Sequence, residues 1–115
     1  MHELGVVFHI IKSVKKIAVE NDLTKIASVT VELGEVSTVI PAYLTDCWKW
    51  ATAKEGELFL DSQLLIETIP AVTYCEECEQ TYETVSYGKI CPHCKSERTY
   101  LIQGNEFNIK EIEAC

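Results

Sequence analysis

The first twenty residues carry apolar side chains at the spacing of an α-helix. From Leu4 to Glu20 these side chains recur every three or four positions, so they fall on one side of a helix while the lysines fall on the other. The apolar positions are Leu4, Val7, Ile10, Ile11, Val14, Ile17 and Ala18. The pattern predicts an amphipathic helix that ends near Asn21.

The next segment alternates between apolar and polar residues, which is the period of a β-strand. It extends from Ile26 to Leu33 and is closed by Gly34. Val29, Val31 and Leu33 share one face, and Ser28, Thr30 and Glu32 share the other. We therefore expect a strand with one buried face and one polar face.

A second helix is predicted to begin at Pro41, because the fixed φ angle and missing N–H of proline suit the first helical position. The residues of its buried face are Leu44, Cys47, Trp48 and Ala51, and the helix should end near Gly56. Cys47 is expected to be a buried packing residue. Trp48 and Trp50 are two positions apart and cannot share a helix face, so one should be buried and the other partly exposed.

Two further strands are predicted, at residues 63–69 and 106–112. This order of elements predicts an α+β fold, with a small sheet of about three strands and two helices packed on it. Residues 1–71 and 102–115 should form this domain. Residues 72–101, which contain four of the six cysteines, should form an insertion. About 30 residues cannot build a hydrophobic core, so the insertion must be cross-linked, for example by a bound metal ion or by disulfide bonds.

Composition limits the classes of function. Hydrophobic residues make up 47% of the 115 residues, as in folded globular proteins, and no stretch approaches the roughly 18 apolar residues of a membrane-spanning helix. No secretory signal is visible, so we expect a cytoplasmic protein without a membrane partner. The formal net charge is −8 and basic residues do not cluster. Such a surface repels phosphate backbones, and nucleic acid is therefore not an expected partner.

The insertion contains two C-x-x-C pairs, Cys75 with Cys78 and Cys91 with Cys94, with twelve residues between them. Each pair can direct both sulfurs towards one point through a tight loop, and two such loops form a tetrahedral cage. The spacing predicts one Zn²⁺ ion in a zinc ribbon. Because four thiolates leave no open position for water, this zinc would be structural.

Other interpretations of the cysteines are weaker. A reducing cytoplasm disfavours disulfides, and a redox motif needs only one pair, while an iron–sulfur cluster remains an alternative for the same ligands. Between the pairs, Tyr82, Val85 and Tyr87 are predicted to lie in short strands joined through Gly88. His93 is expected to face solvent, with replacement of a thiolate as the less favoured alternative. The terminal Cys115 has no expected role.

The first residues, Met1-His2-Glu3, offer a second set of metal donors. The amine of Met1, the backbone nitrogen of His2 and its imidazole can close chelate rings around one ion. Such nitrogen-rich planar coordination suits Ni(II) and Cu(II). From the residues alone, an uninvolved terminus is the default interpretation. His9 lies about two helical turns after His2 and is expected to be a helix-surface residue.

Several short motifs follow one another in order along nearly the whole chain. They are Met1-His2-Glu3-Leu4, Val31-Glu32-Leu33-Gly34-Glu35-Val36-Ser37, Val39-Ile40-Pro41, Leu64-Leu65-Ile66-Glu67-Thr68-Ile69-Pro70, Cys91-Pro92-His93-Cys94 and Gln103-Gly104-Asn105-Glu106. Each motif is unspecific by itself, but the ordered set resembles the HypA/HybF family of hydrogenase and urease nickel-insertion proteins. One departure is that Ala42 stands after Pro41, where the family often has an acidic residue.

The resemblance implies a nickel metallochaperone. Met1, His2 and Glu3 match the nickel-binding motif of the family, with His2 as the side-chain ligand, and the four paired cysteines match its structural zinc ligands. The implied partners are a GTPase of the nickel pathway and the large subunit of [NiFe]-hydrogenase, with urease as another recipient of nickel. Monomer and dimer both remain open.

A protein–protein adaptor built on a zinc ribbon, without a transferable metal, is the alternative function. The adaptor would tolerate loss of His2, whereas a nickel chaperone would not. We do not expect an enzyme, because the sequence shows no nucleophile–base pair, glycine-rich phosphate loop or open metal site.

Overall fold

The computed structural model describes residues 3–115 of the chain. The helices are α1 (Glu3–Glu20), α2 (Pro41–Thr52) and the short α3 (Thr84–Tyr87), with a 3₁₀ helix at Gly56–Phe59. The strands are β1 (Ile26–Gly34), β2 (Gln63–Ile69), β3 (Val72–Cys75), β4 (Thr81–Glu83), β5 (Thr99–Gln103) and β6 (Phe107–Ala114). The predicted α+β fold is confirmed. None of the helices within residues 3–115 is long and apolar enough to cross a bilayer.

The chain divides into two compact units. The first, here called the helical unit, consists of the residues up to Glu32, Thr38–Glu67 and Asn108–Cys115. The second, called the ribbon unit, consists of Leu33–Ser37 and Thr68–Phe107. The sequence predicts that the insertion spans residues 72–101, and these bounds stay a prediction.

One three-stranded sheet has the order β2-β1-β6. The amide of Thr24 donates to the carbonyl of Cys115 (3.0 Å), and the amide of Gly34 donates to the carbonyl of Glu106 (2.8 Å), so β1 and β6 are antiparallel. The strands β1 and β2 end side by side, because the amide of Glu35 donates to the carbonyl of Ile69 (2.8 Å). They are therefore parallel, as expected for two strands connected through a helix.

The core of the helical unit forms from α1, α2 and the sheet. The buried residues of α1 are Val6, Val7, Ile10, Ile11, Val14 and Ala18, which confirms most of the predicted apolar stripe. Ile17 departs from it and is 36% exposed. On α2 the indole of Trp48 is buried against Phe59, with ring centroids 5.7 Å apart, and Trp50 is 51% exposed. The prediction of one buried and one exposed tryptophan is thus confirmed.

The second face of β1 is also buried, which corrects the prediction of an exposed polar face. Ser28 is 6% and Thr30 is 7% exposed. The reason is that β1 is the central strand, so longer side chains on both neighbours shield its small hydroxyl side chains. The Nζ atom of Lys110 on β6 lies 3.0 Å from the Oε1 atom of Glu67 on β2, so this ion pair crosses over β1. The hydrogen bond and charge of Glu67 raise the pKa of Lys110.

A second sheet forms the ribbon unit, with the order β4-β3-β5 and antiparallel pairing. Tyr82 on β4 is buried, and its hydroxyl donates to the carbonyl of Gly88 at 2.8 Å. Val85 and Tyr87 lie in α3, so the prediction that they lie in strands is wrong. Because α3 is only one turn long, its residues give no periodic signal that distinguishes it from a strand.

Two glycines allow close backbone contact at the base of the ribbon unit. A Cβ atom on Gly34 would overlap the carbonyl of Gly104, and one on Gly104 would overlap Ala71. The φ angle of Gly104 is 119°, which side chains rarely permit. The carboxylate of Glu35 accepts a hydrogen bond from the amide of Ala71 at 2.9 Å. These contacts bring residues 33–37 into the ribbon unit.

The substitution Gly34→Ala should destabilise the protein by about 3 kcal/mol, because the added methyl group overlaps backbone atoms that cannot move alone. Gly5→Ala is the matched control. Gly5 lies in α1 with nothing within 4 Å of an added Cβ, so alanine there should stabilise by about 0.5–1 kcal/mol. Urea unfolding followed by circular dichroism measures both changes. Equal unfolding midpoints for the two variants would contradict this account.

Candidate metal centre

The two C-x-x-C loops have the same backbone design. In the first loop, the amide of Glu79 donates to the carbonyl of Cys75 at 2.9 Å. In the second loop, the amide of Lys95 donates to the carbonyl of Cys91, also at 2.9 Å. Glu79 (φ 58°) and Lys95 (φ 66°) both have the left-handed conformation that is uncommon outside glycine. Each loop therefore turns tightly enough to direct both of its sulfurs to one side.

A second backbone hydrogen bond is also common to both loops. The amide of Cys75 donates to the carbonyl of Gln80 at 2.9 Å, and the amide of Cys91 donates to the carbonyl of Ser96 at 3.0 Å. In both loops the partner is the fifth residue after the first cysteine. The sequence spacing predicted two loops, but it did not reveal that they are copies of one conformation.

The loops bring the four sulfur atoms together. All four Sγ atoms lie within 4.8 Å of one another. The distance between Cys75 and Cys94 is 3.5 Å, and that between Cys78 and Cys91 is 3.6 Å. A tetrahedron of sulfurs about 2.3 Å from zinc has edges of about 3.8 Å, whereas a disulfide bond is about 2.05 Å long. The geometry fits a zinc ion and does not fit disulfide bonds.

Burial differs among the four cysteines. Cys75 and Cys91 are fully buried, Cys78 is half-buried and Cys94 is exposed. The ring of Tyr82 packs with the buried pair and completes a small cluster. The cluster is thus shielded on the side of the sheet and open at Cys94.

The thiols of the cluster differ in acidity. Burial is the largest influence on Cys78 and, together with the neighbouring thiols, raises its pKa to about 12. Burial also opposes ionisation of Cys91, but the amides of Cys94 and His93 and two neighbouring thiols outweigh it and lower the pKa of Cys91 to about 6. Before metal binds, Cys91 therefore ionises more readily than Cys78.

Other predicted residues lie outside this cluster. His93 is exposed, and the group of possible ligands found among residues 3–115 contains the four cysteines without it. Arg98 is within 3.5 Å of Glu76 and 3.6 Å of Glu77, which links the first loop to the segment before β5. These exposed ion pairs contribute little stability.

The terminal motif is described only in part. Met1 and His2 lie outside the described residues, and Glu3 is half-buried at the start of α1. Glu3 lines a hollow of about 280 Å³ with Tyr43, Asp46 and Cys47 of α2. Cys47 is half-buried, so the prediction of a fully buried packing residue is corrected. It lies at the margin of the face of α2 that packs on the core.

Two remaining predictions concern single residues. His9 is exposed on α1, as expected. The side chain of Cys115 is exposed, while its backbone pairs with Thr24 and Lys25. The residues that the sequence did not suggest are Tyr43 and Asp46, because only the packing of α1 against α2 brings them beside Glu3.

The fold and the four-thiol cluster define a class: a small α+β protein that carries a zinc-ribbon module. A sequence model of the family described as "Hydrogenase/urease nickel incorporation, metallochaperone, hypA" matches residues 1–114. The chain belongs to the HypA family.

Known relatives are similar over their whole length. The hydrogenase maturation factor HypA of Moorella thermoacetica is 32% identical over 113 residues, which cover 98% of each chain. The solution structure of the Ni metallochaperone HypA from Helicobacter pylori has a TM-score of 0.71 and 25% identity, covering 99% of this chain and 97% of that one. A second solution structure of a HypA protein has a TM-score of 0.74 and 26% identity.

Zinc affinity should increase with pH between 5.5 and 8. Binding requires thiolates, and with a pKa of about 12 the thiol of Cys78 must lose its proton to the solvent. At least one proton is released at neutral pH, so apparent affinity should rise at least about tenfold per pH unit. Below the pKa of Cys91, about 6, the dependence should steepen. Competition with a chromophoric chelator measures it, and an affinity that is constant across this range would contradict the cluster as the zinc site.

Proposed function

We propose that this protein binds Ni(II) through its first residues and delivers it during maturation of [NiFe]-hydrogenase or urease. The observation that carries the proposal is the match of the nickel-incorporation family along residues 1–114, which includes the Met1-His2-Glu3 motif. The imidazole of His2 is the proposed side-chain ligand. Main-chain nitrogens of residues 1–3 supply the other donors, and the carboxylate of Glu3 assists.

The donor set suits delivery of the metal. One imidazole and main-chain nitrogens prefer Ni(II) over harder ions such as Mg²⁺, while the soft four-thiolate cluster suits zinc. The two sites therefore select different metals by ligand type. The donors also belong to consecutive residues of the sequence, so no distant segment is needed to bring them together.

We propose a purely structural role for zinc, held by Cys75, Cys78, Cys91 and Cys94. Four thiolates fill a tetrahedral shell, so no position remains at which zinc could activate water. Zinc would supply the stability that the ribbon unit, which is too small for a large hydrophobic core, does not gain from apolar burial. Thiolates of this kind persist in a reducing compartment, which supports the cytoplasm as the location.

The proposed partners are a GTPase of the nickel pathway and the large subunit of the hydrogenase, with urease as another recipient. They follow from the family, whose relatives are hydrogenase maturation factors. The alternative function is a zinc-ribbon adaptor that carries no transferable metal. The observation that favours it is an aromatic pair on the ribbon sheet, in which the half-buried Tyr74 and the exposed Tyr100 have ring centroids 5.4 Å apart.

His2→Ala should abolish nickel binding and leave zinc binding unchanged. His9→Ala is the control, because His9 is an exposed histidine on α1. Untagged proteins are equilibrated with excess nickel and desalted, and both metals are measured by mass spectrometry. We expect about one nickel and one zinc in the wild type and in the His9 variant, and only zinc in the His2 variant. Nickel retained by the His2 variant, or absent from the wild type, would overturn the proposal.

Cys75→Ser should remove zinc and unfold the ribbon unit, because the buried sulfur of Cys75 belongs to the small core of that unit. Cys47→Ser, which changes a half-buried cysteine in α2, should retain zinc. Zinc analysis combined with limited proteolysis between residues 76 and 98 tests the pair. A zinc-free Cys75 variant as resistant to protease as the wild type would contradict a structural role for zinc.

A further inference from the structure

The four thiols of the cluster differ in their access to solvent. Cys75 and Cys91, the first cysteine of each C-x-x-C pair, are fully buried. The second cysteines hold equivalent positions, because both loops have the same backbone hydrogen bonds, yet Cys78 is half-buried and Cys94 is exposed. The residues on either side of Cys94 are exposed as well. A reagent in solution therefore reaches the cluster most easily at Cys94.

Charge distinguishes the same two positions. The first loop, residues 75–79, contains three exposed glutamates, at positions 76, 77 and 79. Arg98 contacts the first two of these and offsets one of the three negative charges. The second loop, residues 91–95, has no acidic residue, and Lys95 directly follows Cys94. An anionic reagent is therefore repelled by the first loop and attracted to the second.

Cys94 also has a neighbouring sulfur with which it can form a bond. Its Sγ atom lies 3.5 Å from that of Cys75, so the two atoms must approach by about 1.5 Å to reach the length of a disulfide bond. The sulfur of Cys91 is held differently. It accepts a hydrogen bond from the amide of His93 at 3.4 Å and lies 3.6 Å from the sulfur of Cys78. Cys75 is therefore the neighbour placed to react with an oxidised Cys94.

We propose that Cys94 is an oxidation site, at which a peroxide converts the cluster into a Cys75–Cys94 disulfide and so releases the metal. The release of zinc rests on the proposed function, whereas the site of oxidation rests on the exposure of Cys94 and its distance from Cys75. Oxidation follows thiolate character and access to solvent, and a sulfenic acid beside a second thiol condenses with it.

The reaction has two steps. The thiolate of Cys94 attacks one oxygen of hydrogen peroxide, the O–O bond breaks, hydroxide leaves and a sulfenic acid forms. The thiolate of Cys75 then attacks the sulfur of Cys94, the S–S bond forms, the S–O bond breaks and a second hydroxide leaves. The two sulfurs lose two electrons, which the two peroxide oxygens accept. The thiolates that remain, Cys78 and Cys91, cannot complete a tetrahedral shell.

The test uses the zinc-loaded, full-length double variant Cys47→Ser/Cys115→Ser, in which the cysteines of the cluster are the only ones left. Hydrogen peroxide is added, and a chromophoric chelator measures the released zinc. We expect about one zinc ion per chain to be released. Dithiothreitol and added zinc should then restore the zinc content, because the dithiol reduces the disulfide and becomes a cyclic disulfide itself.

Tryptic peptides identify the disulfide. Trypsin cleaves after Lys54, Lys89 and Lys95, so Cys75 and Cys78 fall in peptide 55–89, and Cys91 and Cys94 fall in peptide 90–95. We expect the two peptides to be linked, with fragmentation assigning the bond to Cys75 and Cys94. A bond within peptide 90–95, or any link through Cys78, would overturn the proposal. Zinc retained by the disulfide-bonded protein would overturn the release of the metal.

Limited alkylation of the wild-type protein gives a second readout. With neutral iodoacetamide, Cys94 should react at least about fivefold faster than Cys78, and the preference should increase with anionic iodoacetate. Lys95→Glu should reduce the preference for iodoacetate, while Lys16→Glu, a charge reversal at an exposed position of α1, should not. A faster reaction at Cys78 with either reagent would overturn Cys94 as the site of first reaction.

The outcomes separate the oxidation site from the proposed role of zinc. If the untreated protein contains no zinc, the structural role fails. A Cys75–Cys94 bond formed by peroxide in that zinc-free protein would still support the oxidation site, and any other pairing would overturn it.

Discussion

Convergence of four thiol groups on one point replaces the hydrophobic core that the ribbon unit is too small to build. Its deepest residues are the cysteines themselves, with Cys75 and Cys91 fully buried and Tyr82 packed against them. The sheet β4-β3-β5 has only short strands, and such small sheets are marginal without support. In the proposed function, metal–thiolate bonds supply the free energy that apolar burial supplies in the helical unit.

The helical unit is stabilised in a different way, by burial of apolar side chains on both helices and the central strand. Its one exposed tryptophan, Trp50, lies on the same helix as the buried Trp48. One helix thus contributes to the core with one face and lines the hollow beside Glu3 with another.

Local sequence patterns predicted the secondary-structure elements that depend on nearby residues alone. The helical period of α1, the bounds of β2 and the two cysteine loops could all be read from spacing over a few residues. Features that depend on distant segments could not be predicted. Ser28 and Thr30 are buried because of residues on β2 and β6, and Gly34 meets Gly104 seventy positions further along the chain. The hollow beside Glu3 likewise exists only where α1 and α2 meet.

The repeated conformation of the cysteine loops has a consequence for how the zinc site is built. Glu79 and Lys95 adopt the same left-handed conformation at equivalent positions, so each half of the four-sulfur cluster is held by the same backbone turn. The thiols break this symmetry, since Cys91 ionises far more readily than Cys78. Two turns of one conformation thus present thiols that differ in acidity. Equivalence of the backbone therefore does not make the two halves of the cluster chemically equivalent.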